Sequence, residues 1–522
     1  MSTHRTTLSR RQLVKGLALA PFVAPAAIPL LAAAQPAGAP PKAQDREIVV
    51  ELGEDISTLD DHMHSQRGGI IALRLINDHF LIRDLQTMRP KPNIISEWKA
   101  INDTTWEFKL RSGMKFHTGD PVTANDAKFS FDRVLNPAQK SPQRANITWV
   151  KEVKVLDPLT FQITTDGPFP LVLERLTGFS LVSEKYIKEK GDAAMSERPV
   201  GSGPYKFVSW RRGVTLTLER NEDYWGEKGI LKRIIVRNIP DAATQIAELL
   251  AGNVHVVRVV PADQVKAVNA SKTAEVRARP ILRVVFMWLD AIGRASDSPF
   301  KNLKVRQAAN LAVDKKAIVE KVQGGMAQLI EGPLNPMHFG FDPSLKGYPY
   351  DPDKAKQLLA EAGYPGGVEV DLNFAMDVSV VEAVQGYWAK VGIKANIKDM
   401  RSSVAGFVEM QRAGKLKDSG NQNWGSYSVF DADSLFTFWF HRQGQEAYAY
   451  TPELEKMLEE ARKTLDENKR KQLYFQAQKY AVDNALWVPL YARYTIEGVN
   501  RKLVYQPAGD EYQYFEKAYW LD

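Results

Sequence analysis

The 522-residue chain contains no cysteine and only eight histidines. The first absence removes disulfide scaffolds, thiolate nucleophiles, Cys-ligated zinc, iron–sulfur clusters and lipid attachment through cysteine. The second leaves little for metal binding. No His-Glu-x-x-His occurs, and His62-Met63-His64 offers two ligands where three or four are usual, so both histidines are expected on a solvent-exposed turn. Missing too are the Gly-x-x-x-x-Gly-Lys loop that cradles phosphates and the Gly-x-Ser-x-Gly elbow that presents a serine nucleophile. Gly201-Ser202-Gly203 lacks the third glycine of a dinucleotide loop and reads as a turn entering a strand. The expectation is therefore no cofactor, no metal and no catalytic residue.

Excess charge is also scarce. Arg5, Arg10, Arg11 and Lys15 stand in an acid-free stretch, 1–34, and supply over half of the formal +7, leaving 65 basic against 62 acidic residues. Without a basic run or face, no nucleic acid is expected as a partner. What those first residues do have is the order of an export signal: Ser9-Arg10-Arg11-Gln12-Leu13-Val14-Lys15, an apolar stretch from Gly16, and Ala32-Ala33-Ala34 before Gln35. Pro21, Pro25 and Pro29 make this a poor spanning helix, and the paired arginines resemble a twin-arginine (Tat) address. Residues 1–34 are read as a signal peptide and 35–45 as a linker. No later apolar run approaches the roughly 18 residues needed to cross a bilayer. The mature chain is expected to be soluble, exported and not lipid-anchored.

The body alternates strand and helix. Ile48–Leu52 and Thr104–Leu110 read as strands, and Thr123 with Asp126 forms a capping box ahead of a helix to Leu135. Asp241, Asn302, Asp314, Asp351, Thr451 and Asp466 stand where helix N-caps are wanted, and Gly252, Gly363 and Gly392 where helices stop. A helix is expected over 382–391, then a strand through Ile393, Ala395 and Ile397. Helix–Gly–strand units of this kind indicate α/β lobes.

Aromatic rings concentrate between Asn423 and His441. Phe436 and Phe440 have helical spacing and suit a core, whereas Trp424, Tyr427 and Phe430 are separated by Gly and Ser and suit a ring-lined ligand pocket. Asp431 and Asp433, two apart in what reads as an extended segment, would share one face. His441, beside Trp439 and Phe440, is a second pocket candidate, and Trp288 lies in the apolar strand Phe286–Asp290.

Several motifs in order resemble solute-binding family 5, the periplasmic peptide-binding proteins of ABC importers. They are Thr58-Leu59-Asp60-Asp61-His62, the run from Trp106 to Asp126, Val200–Lys206, Glu219–Gly226, Arg306-Gln307-Ala308-Ala309 and Ala360-Glu361-Ala362-Gly363-Tyr364. The resemblance covers nearly all of 46–522. It implies an α/β fold: a two-lobed clamshell of the type II, cluster C periplasmic-binding-protein kind, with an extra subdomain in the N-terminal lobe. Lobe I would comprise 46–88, 200–285 and 488–522, the subdomain 89–199 and lobe II 286–487, hinged near 285 and 487. It further implies a periplasmic monomer that delivers a small-molecule solute, a peptide or other polar compound, to the permease and ATPase subunits of an inner-membrane ABC importer.

The chain departs from the family's pattern at two ligand positions. Peptide-binding members commonly carry an aspartate shortly after the Trp-Gly of the 424 segment, where Ser426, Tyr427 and Ser428 stand here. Arg401-Ser402-Ser403 replaces a usual aromatic, and Arg401 would favour an anion. Asp431, by a shifted register, is the substitute partner for a peptide ammonium. The expected ligand contacts are thus Trp424, Tyr427, Phe430, Asp431, Trp288, Arg401 and His441. Alternatives to a peptide are an opine, a sugar or another anionic solute. Alternatives to a binding protein are a Tat-exported enzyme and a periplasmic chaperone.

Overall fold

The computed structural model describes residues 42–425 and 429–522. The signal segment and Tyr427 lie outside the described residues. The predicted caps recur as hydrogen bonds. Asp241 accepts from the Thr244 amide at 2.8 Å, Asn302 from Lys304 at 2.9 Å, Asp351 from Lys354 at 2.9 Å and Asp466 from Lys469 at 2.7 Å. Each satisfies an amide that the first helical turn leaves orphaned. The Thr123–Asp126 capping box opens the helix Ala124–Leu135. One start differs from expectation: the helix Val378–Ala389 begins four residues before Glu382. Its β-branched opening, Val378-Ser379-Val380-Val381, reads locally as strand, but Asp377 turns the chain at φ 58° and tertiary packing buries Val380, Val381, Val384 and Trp388 together.

One sheet of eleven strands runs through most of the molecule. At one end Gln44–Glu51 pairs in parallel with Leu231–Arg237 and Val256–Val257, and at the other Val368–Phe374 pairs in parallel with Ile393–Asp399 and Ser419–Trp424. Two long antiparallel strands, Ala274–Leu289 and Trp487–Asn500, join the two parallel groups. Their register slips between Pro280 and Val284 and again between Val285 and Phe286, as expected where proline withholds a ladder donor. A separate antiparallel sheet orders Ile95–Asn102, Thr105–Leu110, Thr160–Thr165 and Val150–Asp157.

The apolar interior divides accordingly. Ile48, Leu73, Tyr205, Ile234, Val499 and Trp520 form one cluster, and Phe80, Phe108, Phe131, Phe161 and Trp149 another over the four-stranded sheet. Val285, Met287, Leu359, Val384 and Trp388 pack on one face of the far end of the long sheet, and Phe286, Trp288, Phe436, Trp439 and Trp487 on the other. Adjacent residues Val285 to Trp288 alternate between these two clusters, as the period of a strand buried on both faces requires. Among the described residues no helix is long and apolar enough to cross a membrane.

Candidate functional site

In open α/β sheets ligands settle outside the carboxyl ends of parallel strands, where loops diverge and backbone polar groups are free. Here the ends of both parallel groups connect to one polar cluster. Glu51 and Val257 end neighbouring strands, and the Arg258 side chain that follows lies beside Gly53 and 3.8 Å from Glu54. From the opposite group, Asn423 near the end of Ser419–Trp424 accepts a hydrogen bond from Arg283 at 2.8 Å. Arg283 stands at the register slip of the long strands and also pairs with Glu511 at 3.3 Å. Arg493, on the other long strand, pairs with Asp377 after Val368–Phe374.

Glu511 and Asp377 are both held in the left-handed backbone region, at φ 64° and 58°. Such a conformation costs a non-glycine residue about 1–2 kcal/mol and persists where surrounding contacts fix it. Burial pushes the Glu511 carboxyl up, but the guanidinium groups of Arg283, Arg67 and Arg258 outweigh it, so the group ionises more easily than an ordinary glutamate. Next to it, the Arg67 and Arg74 guanidiniums both lie over the Tyr512 ring, 4.7 and 4.6 Å from its centre. Trp424 borders this cluster, half-buried and stacked on Phe438 with centroids 4.2 Å apart. Arginines, the carboxylates of Glu54, Asp510 and Glu511, and aromatic faces are therefore presented together by segments near 53, 67, 258, 283, 424 and 511, a charged and ring-bearing setting for a small polar molecule.

The residues singled out in the sequence are distributed more widely. Trp424 belongs to this cluster; Tyr427 lies outside the described residues. Trp288 is 0% exposed, with its ring 4.4 Å from Tyr448 and against the Gly420 backbone, so it packs the core. Phe430 is buried among Met88 and Leu282 under the Arg83 guanidinium, and it borders a cavity of about 280 Å³ also lined by Arg89, Met337, Phe339 and Lys471. Asp431 is not on an extended face with Asp433: it caps the helix Ala432–Trp439 and forms a buried ion pair with Arg470 at 2.5 and 2.8 Å. That pairing occupies the carboxylate expected to receive an ammonium. Asp433 faces Arg462 at 3.2 Å. His441 is buried at the end of the same helix, with Nδ1 accepting from the Gln443 amide at 3.2 Å and Nε2 3.4 Å from Glu459. Arg401 is exposed and paired with Asp399 at 2.6 Å.

His62 and His64, expected on a solvent-exposed turn, are both buried. His62 stacks on Phe179 at 5.2 Å and reaches the Ser180 carbonyl at 3.1 Å, and burial lowers its pKa to about 4, so it is neutral at pH 7. The His64 ring occupies the space that a side chain at Gly69 would need. Among the described residues no group of three or more His, Asp or Glu is arranged to hold a metal ion.

Sequence reading missed Arg67, Arg258, Arg283 and Glu511 because no local motif joins them. Only Gly68-Gly69 after Arg67, a pair allowing close packing at a helix start, hinted at a constrained position.

Residues 89–447 match the family model for bacterial extracellular solute-binding proteins, family 5, middle region. Heme-binding protein A of Haemophilus influenzae is 30% identical over 437 residues, covering 77% of this chain and 78% of that protein. Glutathione-binding protein GsiB of Escherichia coli O157:H7 is 27% identical, with 88% and 91% covered. Among solved structures, HbpA2 from Haemophilus parasuis aligns with 91% of this chain and 100% of its own at a TM-score of 0.81 and 24% identity. The periplasmic binding protein DppA from Helicobacter pylori, in complex with the peptide STSA, aligns with 91% and 98% at a TM-score of 0.73 and 24% identity. The fold is thus the two-lobed clamshell of these proteins, and the chain belongs to the bacterial extracellular solute-binding proteins, family 5.

Proposed function

We propose that this protein is a periplasmic binding protein, exported through its twin-arginine signal, that captures a small peptide-like solute between two lobes and delivers it to the permease and ATPase subunits of an ABC importer. The observation that carries this reading is the convergence of Arg283, Asn423 and Glu511 at the strand ends of both parallel groups. Solute touching both halves would favour the form in which they are closed, giving a permease a shape by which to tell loaded from empty protein. The division of the interior into clusters supports a lobe I near 46–88, 200–285 and 488–522, a subdomain near 89–199 and a lobe II near 286–487, with Phe80 and Leu81 packing in the subdomain's cluster and Val284, Val285, Val488, Leu490 and Tyr491 in those of lobe II. The register slips at 280–286 support a hinge in the long strands. Trp424, at the cluster's edge, is the aromatic wall for the solute. The relative named for glutathione and the neighbour solved in complex with the peptide STSA favour a peptide over an opine or a sugar.

A thermal-shift panel tests this. A ligand that binds only folded protein adds about 2.7 kcal/mol at a hundredfold excess over Kd. Short peptides should raise the unfolding temperature while sugars and opines leave it unchanged. Silence of every peptide, or a response to opines or sugars instead, would overturn the peptide reading.

A further inference from the structure

The cavity beside Phe430 shares no lining residue with Arg67, Arg258, Arg283, Trp424 or Glu511. One wall is Thr87-Met88-Arg89, and the other is the segment 336–343 with Phe430 and Lys471. Its volume is about 280 Å³. An apolar cavity of roughly 150 Å³ holds a benzene ring, so this one has room for a ring with a short chain beside it.

What lines the cavity sets the chemistry it accepts. Met88, Met337, Phe339 and Phe341 supply thioethers and rings. Arg89 and Lys471 line it as well, and no carboxylate does. His338, the other ionisable group on the wall, is driven by burial to about 4 and is neutral at pH 7. Both cations lie over the Phe339 ring, 4.9 and 5.4 Å from its centre. Arg470 lies over the same ring but is spent on Asp431, and Arg83, over Phe430, is spent on Glu174. Arg89 reaches Glu467 only at 3.8 Å, and that glutamate side chain is 70% exposed, so the pair is long and hydrated and yields readily to another anion. Lys471 stands one helical turn beyond Glu467 and makes no hydrogen bond or ion pair with the described residues. Asp84 and Asp342, in the adjoining loops, accept from the amides of Gln86, Thr87 and Ser344.

Both walls are fixed by their own contacts. Met88 is held in the left-handed region at φ 57°, its amide donating to the Asp84 carbonyl at 2.7 Å and its carbonyl accepting from Arg83 at 2.9 Å. That backbone is costly for a residue with a side chain and persists where its surroundings impose it. Opposite, the Phe339 amide donates to the Phe430 carbonyl at 2.8 Å, and Gly340, at φ 87°, lies so close to Tyr474 that a Cβ would come within 2.8 Å of its ring. A gap kept open between two fixed walls is a preorganised site.

We infer that this cavity is a second ligand site, separate from the charged cluster at the strand ends, that takes a small amphipathic carboxylate: the apolar body lies among the rings and methionines, and the carboxylate is held by Arg89 and Lys471. The inference does not depend on the peptide reading.

The test is calorimetric titration of the mature protein with 3-phenylpropionate, 3-phenylpropanol and 3-phenylpropylamine, which share one body and differ in charge. Wild type should bind the acid at least about tenfold more tightly than the alcohol, the effect of one charge-assisted pair, and the amine more weakly than either. Arg89→Gln and Lys471→Gln should each weaken the acid at least about threefold, and together they should bring acid and alcohol within about twofold. Arg283→Gln, in the charged cluster, should leave the acid's affinity within about twofold. No saturable binding of the acid, equal affinity for acid and alcohol, or full preference retained in the double variant would overturn the inference. So would loss of acid binding in Arg283→Gln with Lys471→Gln unchanged, which would place the acid in the cleft. Should the double variant fail to fold, judged by circular dichroism, the two single variants decide.

Discussion

The sharpest structural prediction concerns Asp431, which sequence reading offered to the solute and the fold gives to Arg470. Both side chains are almost fully buried, at 4% and 5% exposure, and Arg470 also donates to the Tyr474 hydroxyl at 3.0 Å and the Ala461 carbonyl at 3.0 Å. Removing one partner strands the other charge in an apolar setting between Phe339 and Tyr474. Breaking a buried pair in this way costs about 3–5 kcal/mol, and losing the helix cap adds about 1. Asp431→Ala should therefore lower the urea midpoint by an amount corresponding to roughly 4–6 kcal/mol. Replacing the pair together, as Asp431→Asn with Arg470→Met, should recover most of the loss because no unpaired charge remains and asparagine still caps. Solute affinity of the folded fraction should stay near wild type. A loss under about 1 kcal/mol from Asp431→Ala, or a collapse of affinity at unchanged stability, would refute this account of the residue.

Other outcomes follow from the same physics. Glu497 is buried, accepting from Tyr505 at 2.8 Å and Gln513 at 3.0 Å, and burial raises its carboxyl from 4.5 to about 7. Folded protein thus keeps a proton that unfolded chain releases, so this group should subtract about 3 kcal/mol as pH rises from 4.5 through 7. Equilibrium unfolding of Glu497→Gln across that range should lack this slope, and an unchanged slope would contradict it. Burial lowers Lys315 from 10.5 to about 8, so Lys315→Met should stabilise the protein at pH 7 and lose its advantage between pH 8 and 10.5; a destabilised variant at pH 7 would count against this. Gly203 lies where a Cβ would come within 2.7 Å of the Ile76 and Leu75 carbonyls, so Gly203→Ala should cost about 1–3 kcal/mol in a denaturation curve, and a neutral result would contradict the close approach. Arg401→Gln, at an exposed pair, should change neither midpoint nor affinity, and a lost affinity would return Arg401 to the cleft.

Local chemistry made much of the fold legible. The caps at Asp241, Asn302, Asp351, Thr451 and Asp466 and the capping box at Thr123 act within three residues, so sequence order alone exposes them. The helix opening at Val378 escaped because propensity there opposes the packing that wins. The buried state of His62 escaped for a similar reason, since Phe179 and Ser180 supply its surroundings from a distance in the chain, whereas His64 packs on nearby Gly69. The cleft was the least legible part. Aromatic density pointed to Trp424, but the charges beside it come from residues 67, 258, 283 and 511, whose meeting is a property of the topology. Asp431 illustrates the converse, since its partner Arg470 lies 39 residues away.

The measurement that bears most directly on the central claim is native mass spectrometry of protein taken from the periplasm under gentle conditions, followed by release and identification of whatever small molecule is bound. The account predicts one peptide-like molecule per chain, lost after displacement by a competing peptide. A bound sugar, a tightly held redox cofactor, or protein that is empty and unresponsive to every peptide would contradict it.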